Sequence, residues 1–313
     1  MLLSSTRSRQ LSVLTLLMLL LTGCQPTDNA QPKTIADIIL ENNEFTLLRT
    51  AMLHGGMADA LKGANLTLFA PNDAAFRASG LADPAAVTAL PADSVRRLIQ
   101  YHVLGGRIMS TDVNLPGGTN QGVVTAGGAT VFLLKNNDQL FLNGVKISQA
   151  DRVAANGTLH VIDRVLNPSS GNLLTTAKAR GLNLLVAAAL RASSTNPALL
   201  SALTGADVQI TLFAPSDAAL RAAGYTESSI STANPQTLAG LLSYHALPGV
   251  YFASQFPSGQ LNTLLSNNRV TVTTLTNAVF VRGNRNPTSI PVRTADIVSN
   301  NGVIHIIDQV LLP

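Results

Sequence analysis

Four of the five histidines stand at positions that occur twice in the chain. His102 and His245 each follow a tyrosine, in Tyr101-His102 and Tyr244-His245, while His160 and His305 are each followed three residues later by an acid, Asp163 or Asp308. Imidazole titrates near neutrality, so such groups could bind a partner, ligate a metal or carry a proton; a core histidine instead has its nitrogens taken by a carboxylate or a backbone carbonyl. The spacing favours the core. Val95, Leu98, Ile99 and His102 fall at i, i+3, i+4 and i+7, as do Leu238, Leu241, Leu242 and His245, which predicts two helices with the histidine on the apolar stripe near the C-terminus. Tyr101 and Tyr244, one step round each helix, are then the expected surface members of the pairs. The inward histidines are expected to be tied to a repeated acid, Asp73 or Asp163 in the first copy and Asp217 or Asp308 in the second.

The other candidates point away from catalysis. His160 and Asp163, like His305 and Asp308, are three apart on an expected strand and so face opposite ways, which prevents them from acting as one acid-base pair. The chain has no G-x-S-x-G, H-E-x-x-H, phosphate-binding loop, G-x-G-x-x-G, cysteine pair or Asp-rich calcium loop. Neither an enzyme nor a bound cofactor or metal is expected. Asp73 and Asp217 follow a Pro and read as helix-cap or first-turn acids contributing about 1 kcal/mol each. His54, before Gly55-Gly56, reads as a helix C-terminal residue near solvent. Arg269, Arg282, Arg285 and Arg293 lie on an expected sheet with few acids nearby: a solvated face, or one that meets an acidic polysaccharide or lipid headgroups.

The elements that must hold these residues are also duplicated. Thr67 to Gly80 and Thr211 to Gly224 share eleven of fourteen residues and read as a strand, T-L-F-A, closed by Pro and followed by a capped, Ala-rich helix that ends at Gly. Upstream, Thr34-Ile35-Ala36-Asp37 starts two short helices that reach Gly55-Gly56 and match Gly181 to Leu190. The second copy has about seven extra residues, expected as a loop over Ser193 to Ala198. Downstream, Asn136-Asn137-Asp138 and Asn143-Gly144 mark tight turns between strands. Asn156 to Leu166 matches Asn301 to Leu311 as an apolar strand expected at the centre of its sheet, and Asp151 matches Asp296 at the same offset. Only Asn167 to Asn172 separate the copies, so the two domains are expected to touch.

Composition suits two packed cores built from aliphatic residues: 46% of the 313 residues are hydrophobic, 12% charged and 4% aromatic, with no Trp. Removing Arg7 and Arg9 with a leader leaves 19 basic against 17 acidic residues, an excess too small to imply nucleic acid. That leader is expected from Arg7, Arg9 and the apolar run Leu11 to Leu21, too short for a membrane span of about 20 residues. Leu21-Thr22-Gly23-Cys24 resembles the lipobox of bacterial lipoproteins. The resemblance implies a signal peptide over 1–23 and acyl chains on Cys24, the only cysteine, followed by a polar tether to residue 33. Gln25, in place of Asp, implies the outer membrane or outer surface of a bacterial envelope.

The order T-L-F-A-P-[NS]-D-A-A, Y-H-[VA]-L, N-G-x-[LI]-H-[VI]-I-D-x-V-L, found in both halves, resembles the fasciclin domain. The resemblance covers 34–168 and 171–313 and implies an α+β fold, two tandem β-sandwich-like wedges with several short helices, in a protein of adhesion. It also implies that Tyr101-His102 and Tyr244-His245 are the partner-binding residues. The function expected is a lipid-anchored envelope adhesion module, held to the membrane through Cys24 and binding an envelope or extracellular-matrix protein or polysaccharide. No R-G-D tripeptide occurs. The alternatives are a carrier of a small lipophilic ligand such as a pigment, or an envelope glycan hydrolase, the latter poorly served by a chain with no Trp and four Tyr.

Overall fold

A computed structural model describes residues 32–113, 120–136, 138–276 and 278–313, so the apolar run and Cys24 lie outside the described residues. Helix α1 (Ile35–Glu41) starts where expected. Thr34 accepts from the Asp37 N–H, and Asp37 accepts in return from the Thr34 N–H at 2.9 Å. A single 3-10 turn leads to α2 (Thr46–His54). Strand β1 (Leu66–Pro71) passes directly into α3 (Asp73–Ala78), whose cap is Asn72, accepting from the Ala75 N–H at 2.8 Å. Then follow α4 (Pro84–Thr88), α5 (Ala92–Tyr101), β2 (Val103–Gly105), β3 (Gln121–Val124), β4 (Thr130–Asn136), β5 (Gln139–Leu142), β6 (Val145–Ala154) and β7 (Gly157–Ile162).

The strands form one sheet in the order β2-β1-β7-β6-β5-β4-β3. β1 and β7 pair in parallel, all other neighbours antiparallel. All six residues of β7 are buried, as an inner strand covered on both faces requires. A bulge bends β6, with Asp151 in the left-handed region at φ 62°. Beyond β3, the Ala126 N–H donates to the Val103 carbonyl of β2 at 2.8 Å, which brings the two ends of the sheet together. The β-sandwich-like wedge expected for each domain is built from a seven-stranded sheet closed barrel-like on itself, with the short helices beside it. The sheet separates two cores. Leu68, Ala70, Leu159 and Val161 face the helices, joining Leu47, Leu48, Ile99 and Phe76. Phe69 and Ile162 point the other way, into the barrel with Val131, Leu133 and Leu142.

The second domain repeats this plan with α6 (Leu173–Ala179), α7 (Asn183–Ala192), α8 (Pro197–Thr204), β8 (Ile210–Pro215), α9 (Asp217–Ala222), α10 (Glu227–Thr232), α11 (Pro235–Tyr244) and β9 (Ala246–Pro248), then β10 (Gly259–Asn262), β11 (Arg269–Leu275), β12 (Ala278–Arg282), β13 (Ile290–Ser299) and β14 (Gly302–Ile307). The sheet order β10-β11-β12-β13-β14-β8-β9 mirrors the first. The insertion expected as a loop over Ser193 to Ala198 in fact opens α8. Asn196 caps it, accepting from the Leu199 N–H at 3.1 Å, and Pro197 occupies its first position. Helix α6 is unforeseen by the sequence reading, although Asn172 signals it as a cap.

The domains touch through a small apolar seam. Phe132 of the first packs with Val250, Phe252 and Val303 of the second, with the Phe132 and Phe252 rings 6.1 Å apart. The Asn143-Gly144 turn, at φ 48° and 75°, seats against it, and Ser254 donates to the Gly144 carbonyl at 2.9 Å. A Cβ on Gly144 would lie 2.6 Å from the Phe252 Cβ, so only glycine allows this approach.

Candidate functional site

Helix α5 ends where its last residue, Tyr101, meets the barrel, and His102 caps it as the chain turns into β2. The Tyr101 hydroxyl donates to the Thr130 carbonyl at 3.0 Å and accepts from the Asn143 amide at 3.1 Å. His102 Nδ1 donates to the Leu98 carbonyl at 2.8 Å, and its Nε2 accepts from the Leu166 N–H at 3.0 Å. These partners specify a neutral ring with the proton on Nδ1. Burial pushes the ring's pKa down to about 4 and that of Tyr101 up to about 12. Tyr244 and His245 repeat the arrangement. The hydroxyl donates to the Arg269 carbonyl and accepts from the Asn284 N–H, both at 2.9 Å, while the ring spans Leu241 O and Leu311 N. Burial holds His245 at about 4 and raises Tyr244.

Two expectations are corrected here. Tyr101 and Tyr244, expected at the surface, are 1% and 0% exposed. Each helix lies over a barrel mouth, so the face turned away from the helical core is itself enclosed by the sheet. The histidines, expected to pair with acids, bond backbone groups instead. Each clamps its helix to the strand-end segment that closes the domain. With His102 and His245 also 2% and 0% exposed, none of the four side chains is presented to a partner from the folded surface.

The acids serve other ends. Asp73 lies in the first turn of α3, but its carboxylate accepts from the Leu47 N–H at 2.8 Å and so caps α2, whose own N-cap residue, Phe45, offers no side-chain bond. Asp217 does the same for α7 through Leu184 at 3.0 Å. Asp163 accepts from Asn72 and Ser148, and Asp308 from Ser216 and Arg293. His54 ends α2 half-buried, with Nε2 2.8 Å from the Leu90 carbonyl. Of the four arginines placed on the second sheet, Arg269, Arg282 and Arg293 are exposed on strands, while Arg285 lies in the loop after β12 and bonds the Pro313 carbonyl.

His160 and His305 lie inside the barrels. Nε2 of His160 donates to the Ile108 carbonyl at 2.9 Å and Nδ1 accepts from the Asp151 N–H at 3.1 Å; the ring stacks on Phe69 at 5.3 Å. The Asp151 carboxylate takes two bonds from Ser110. Burial tends to raise this carboxyl, but the Ser110 bonds and the nearby His160 outweigh it and hold it below its ordinary value. In the second copy Asp296 accepts from the Ala253 N–H at 2.7 Å, and its own N–H meets His305. Burial depresses both histidines. Ser110, Asp151 and His160 are the residue types of a hydrolytic triad in the wrong arrangement. The serine hydroxyl bonds the acid, the imidazole donates to a backbone carbonyl, and alanine replaces the serine in the second copy. Asp151 and Asp296 fasten the β6 and β13 bulges; their one sequence signal was an offset shared with the histidines.

Among the described residues no group of three or more His, Cys, Asp and Glu forms a metal site, and no helix is long and apolar enough to cross a membrane. Several grooves open on the surface formed by the described residues. One of about 830 Å³ runs between the ends of α3 and α5 and the segment after β7, past Leu81, Leu90, Leu98 and Val165. Two more, of about 490 and 270 Å³, open at the seam between the domains.

Comparison with known proteins identifies relatives of this chain. The chain is 27% identical over 225 residues to periostin from Homo sapiens, covering 69% of this chain and 24% of that one. It is 24% identical over 282 residues to transforming growth factor-beta-induced protein ig-h3 from Sus scrofa, covering 90% of this chain and 38% of that one. It thus spans well under half the length of these animal relatives. Cell surface glycolipoprotein MPB83 from Mycobacterium bovis is 29% identical over 135 residues, 41% of this chain and 57% of that one. A solved FAS1 domain pair from the insect cell adhesion molecule fasciclin I aligns over 85% of this chain and 96% of its own, at 18% identity and a TM-score of 0.39. The Fasciclin domain model matches residues 43–168 and again 186–313, so the chain belongs to the fasciclin family, as a tandem pair of its domains.

Proposed function

We propose that the chain is a non-enzymatic adhesion module of a bacterial cell envelope, held by acyl chains on Cys24 and binding an envelope or matrix protein or polysaccharide. The observation that carries this reading is the duplication of the fasciclin domain behind a lipobox-like Leu21-Thr22-Gly23-Cys24. Its likeness to a relative named as a cell surface glycolipoprotein supports the location. In this reading the Tyr-His pairs are framework, because every polar side-chain atom of theirs is taken by a partner within the fold, and partner contact falls to the exposed surface. Two domains on one anchor present two similar surfaces, so weak contacts gain from effective concentration.

The test is expression of the chain in a Gram-negative host, with Cys24→Ala beside the parent, followed by fractionation and by adhesion of whole cells to envelope-derived matrix. The parent is expected in the membrane fraction and to raise adhesion, and Cys24→Ala in the soluble fraction with adhesion lost. Membrane association that survives Cys24→Ala would refute the anchor, and equal adhesion by cells lacking the protein would refute the function. The 830 Å³ groove favours a second reading, a carrier of a small lipophilic ligand, since it is of small-molecule size and partly apolar. Organic extraction of protein purified from its envelope decides: a stoichiometric chromophore or lipid supports that reading, and an empty extract removes it.

A further inference from the structure

The two grooves at the seam share part of their lining. Arg164, the first exposed arginine after β7, lines both, and so does Asp296. Arg180, at the end of α6, lines the smaller groove and Arg293, on β13, the larger. Three arginines therefore stand against one aspartate, and that aspartate already accepts from the Ala253 N–H. Among the described residues, Arg164 and Arg180 form no salt bridge; Arg293 is held only by Asp308 at 3.3 Å, an exposed pair that a competing anion can displace at little cost. Arg164 is not part of the repeated framework either. In the twice-used strand-end motif its counterpart is Gln309, whereas the flanking Asp163, Val165 and Leu166 recur as Asp308, Val310 and Leu311. Scaffold demands explain the flanking residues and leave the arginine unexplained.

The neutral lining shows what kind of anion would fit. Ser169, Thr176 and Thr294 border the smaller groove, and Ser254, Thr274 and Thr276 the larger. Hydroxyls and guanidinium groups in one lining match a ligand that carries both hydroxyls and carboxylates or sulfates. Volumes of 270 and 490 Å³ suit small units, not a protein surface, and two grooves that share Arg164 suit units linked in a chain. A flat bilayer does not enter a crevice. We infer that the interdomain crevice centred on Arg164 binds an acidic polysaccharide, with Arg180 and Arg293 engaging charges on either side. This names the partner class within the adhesion reading and rests on it.

Binding of the purified full-length chain to polygalacturonate tests this, with neutral dextran and phosphatidylglycerol vesicles as comparison probes. The parent is expected to bind polygalacturonate in a salt-sensitive manner and not dextran. An Arg164→Glu/Arg180→Glu variant is expected to bind about tenfold or more weakly with a shallower salt dependence. Arg164→Gln, which installs the residue of the second copy, should give a smaller loss, and thermal melts of both variants should match the parent. Unchanged polygalacturonate binding by the double variant would overturn the site while leaving the adhesion reading intact. Arginine-dependent binding to the vesicles with none to polygalacturonate would overturn the polysaccharide in favour of a membrane. Binding to neither probe would overturn the inference, and the cell-adhesion assay above would still judge the wider function separately.

Discussion

Lowering the pH from about 7.5 to about 5 should unfold this protein more easily through two side chains it never exposes. His102 and His245 have an ordinary pKa of 6.5 in the unfolded chain and about 4 in the folded one. Above 6.5 both states hold neutral rings and pH has no effect through them. Between 6.5 and about 4 only the unfolded chain takes up the proton, so stability falls as pH falls, by about 1.4 kcal/mol per unit for each ring. At pH 5 this amounts to roughly 2 kcal/mol per histidine, and below pH 4 to the full contribution of roughly 3 kcal/mol each. Burial also depresses His160 and His305, which act in the same direction. The carboxylates Asp37 and Glu227 are held below their ordinary values, so the stability they contribute is lost only at lower pH. Urea denaturation at both pH values, on the parent and on His102→Gln and His245→Gln, measures the effect. Each variant should be less stable at neutrality yet show a shallower loss on acidification. A parent whose midpoint is the same at both pH values would refute the neutral backbone clamp.

Two further substitutions test the framework. Gly144→Ala places a Cβ 2.6 Å from the Phe252 Cβ at a residue with φ 75°; it should destabilise by about 1–3 kcal/mol and speed proteolysis in the 167–172 linker as the seam loosens. Asp73→Ala should cost about 1 kcal/mol in a denaturant titration by uncapping α2, and Asp217→Ala a similar amount through α7, with Asn at either position recovering part of the loss.

Patterns confined to a few consecutive residues were legible in the sequence. The strand-to-helix corner, the Thr34 capping box and the Asn143-Gly144 turn each carry their own geometry in residue type and order. The burial of Tyr101 was not legible, because the helical period assigns a residue to one covered face and α5 has two. Val95 and Ile99 belong to the helical core and Tyr101 to the barrel core. The partners of His102 and His160 were illegible for a different reason. They are backbone groups of Leu166, Asp151 and Ile108, which every residue type carries alike. The seam arginine falls between these cases: its departure from the repeat was visible as Arg164 against Gln309, but only the fold brings Arg180 and Arg293 to the same crevice.

The parallel pairing of β1 with β7 dictates when each domain can fold. Leu66 meets Gly157 across that pair, and beside it Asn72 meets Asp163, partners 91 residues apart. β8 and β14 impose a separation of 92 residues on the second domain, as Ser216 and Asp308 show beside that pair. A chain emerging amino terminus first, from a ribosome or through a membrane pore, therefore cannot complete either sheet until its last strand is out. Contacts this distant in sequence form slowly. Each domain can thus close its barrel only after its last strand, β7 or β14, has emerged.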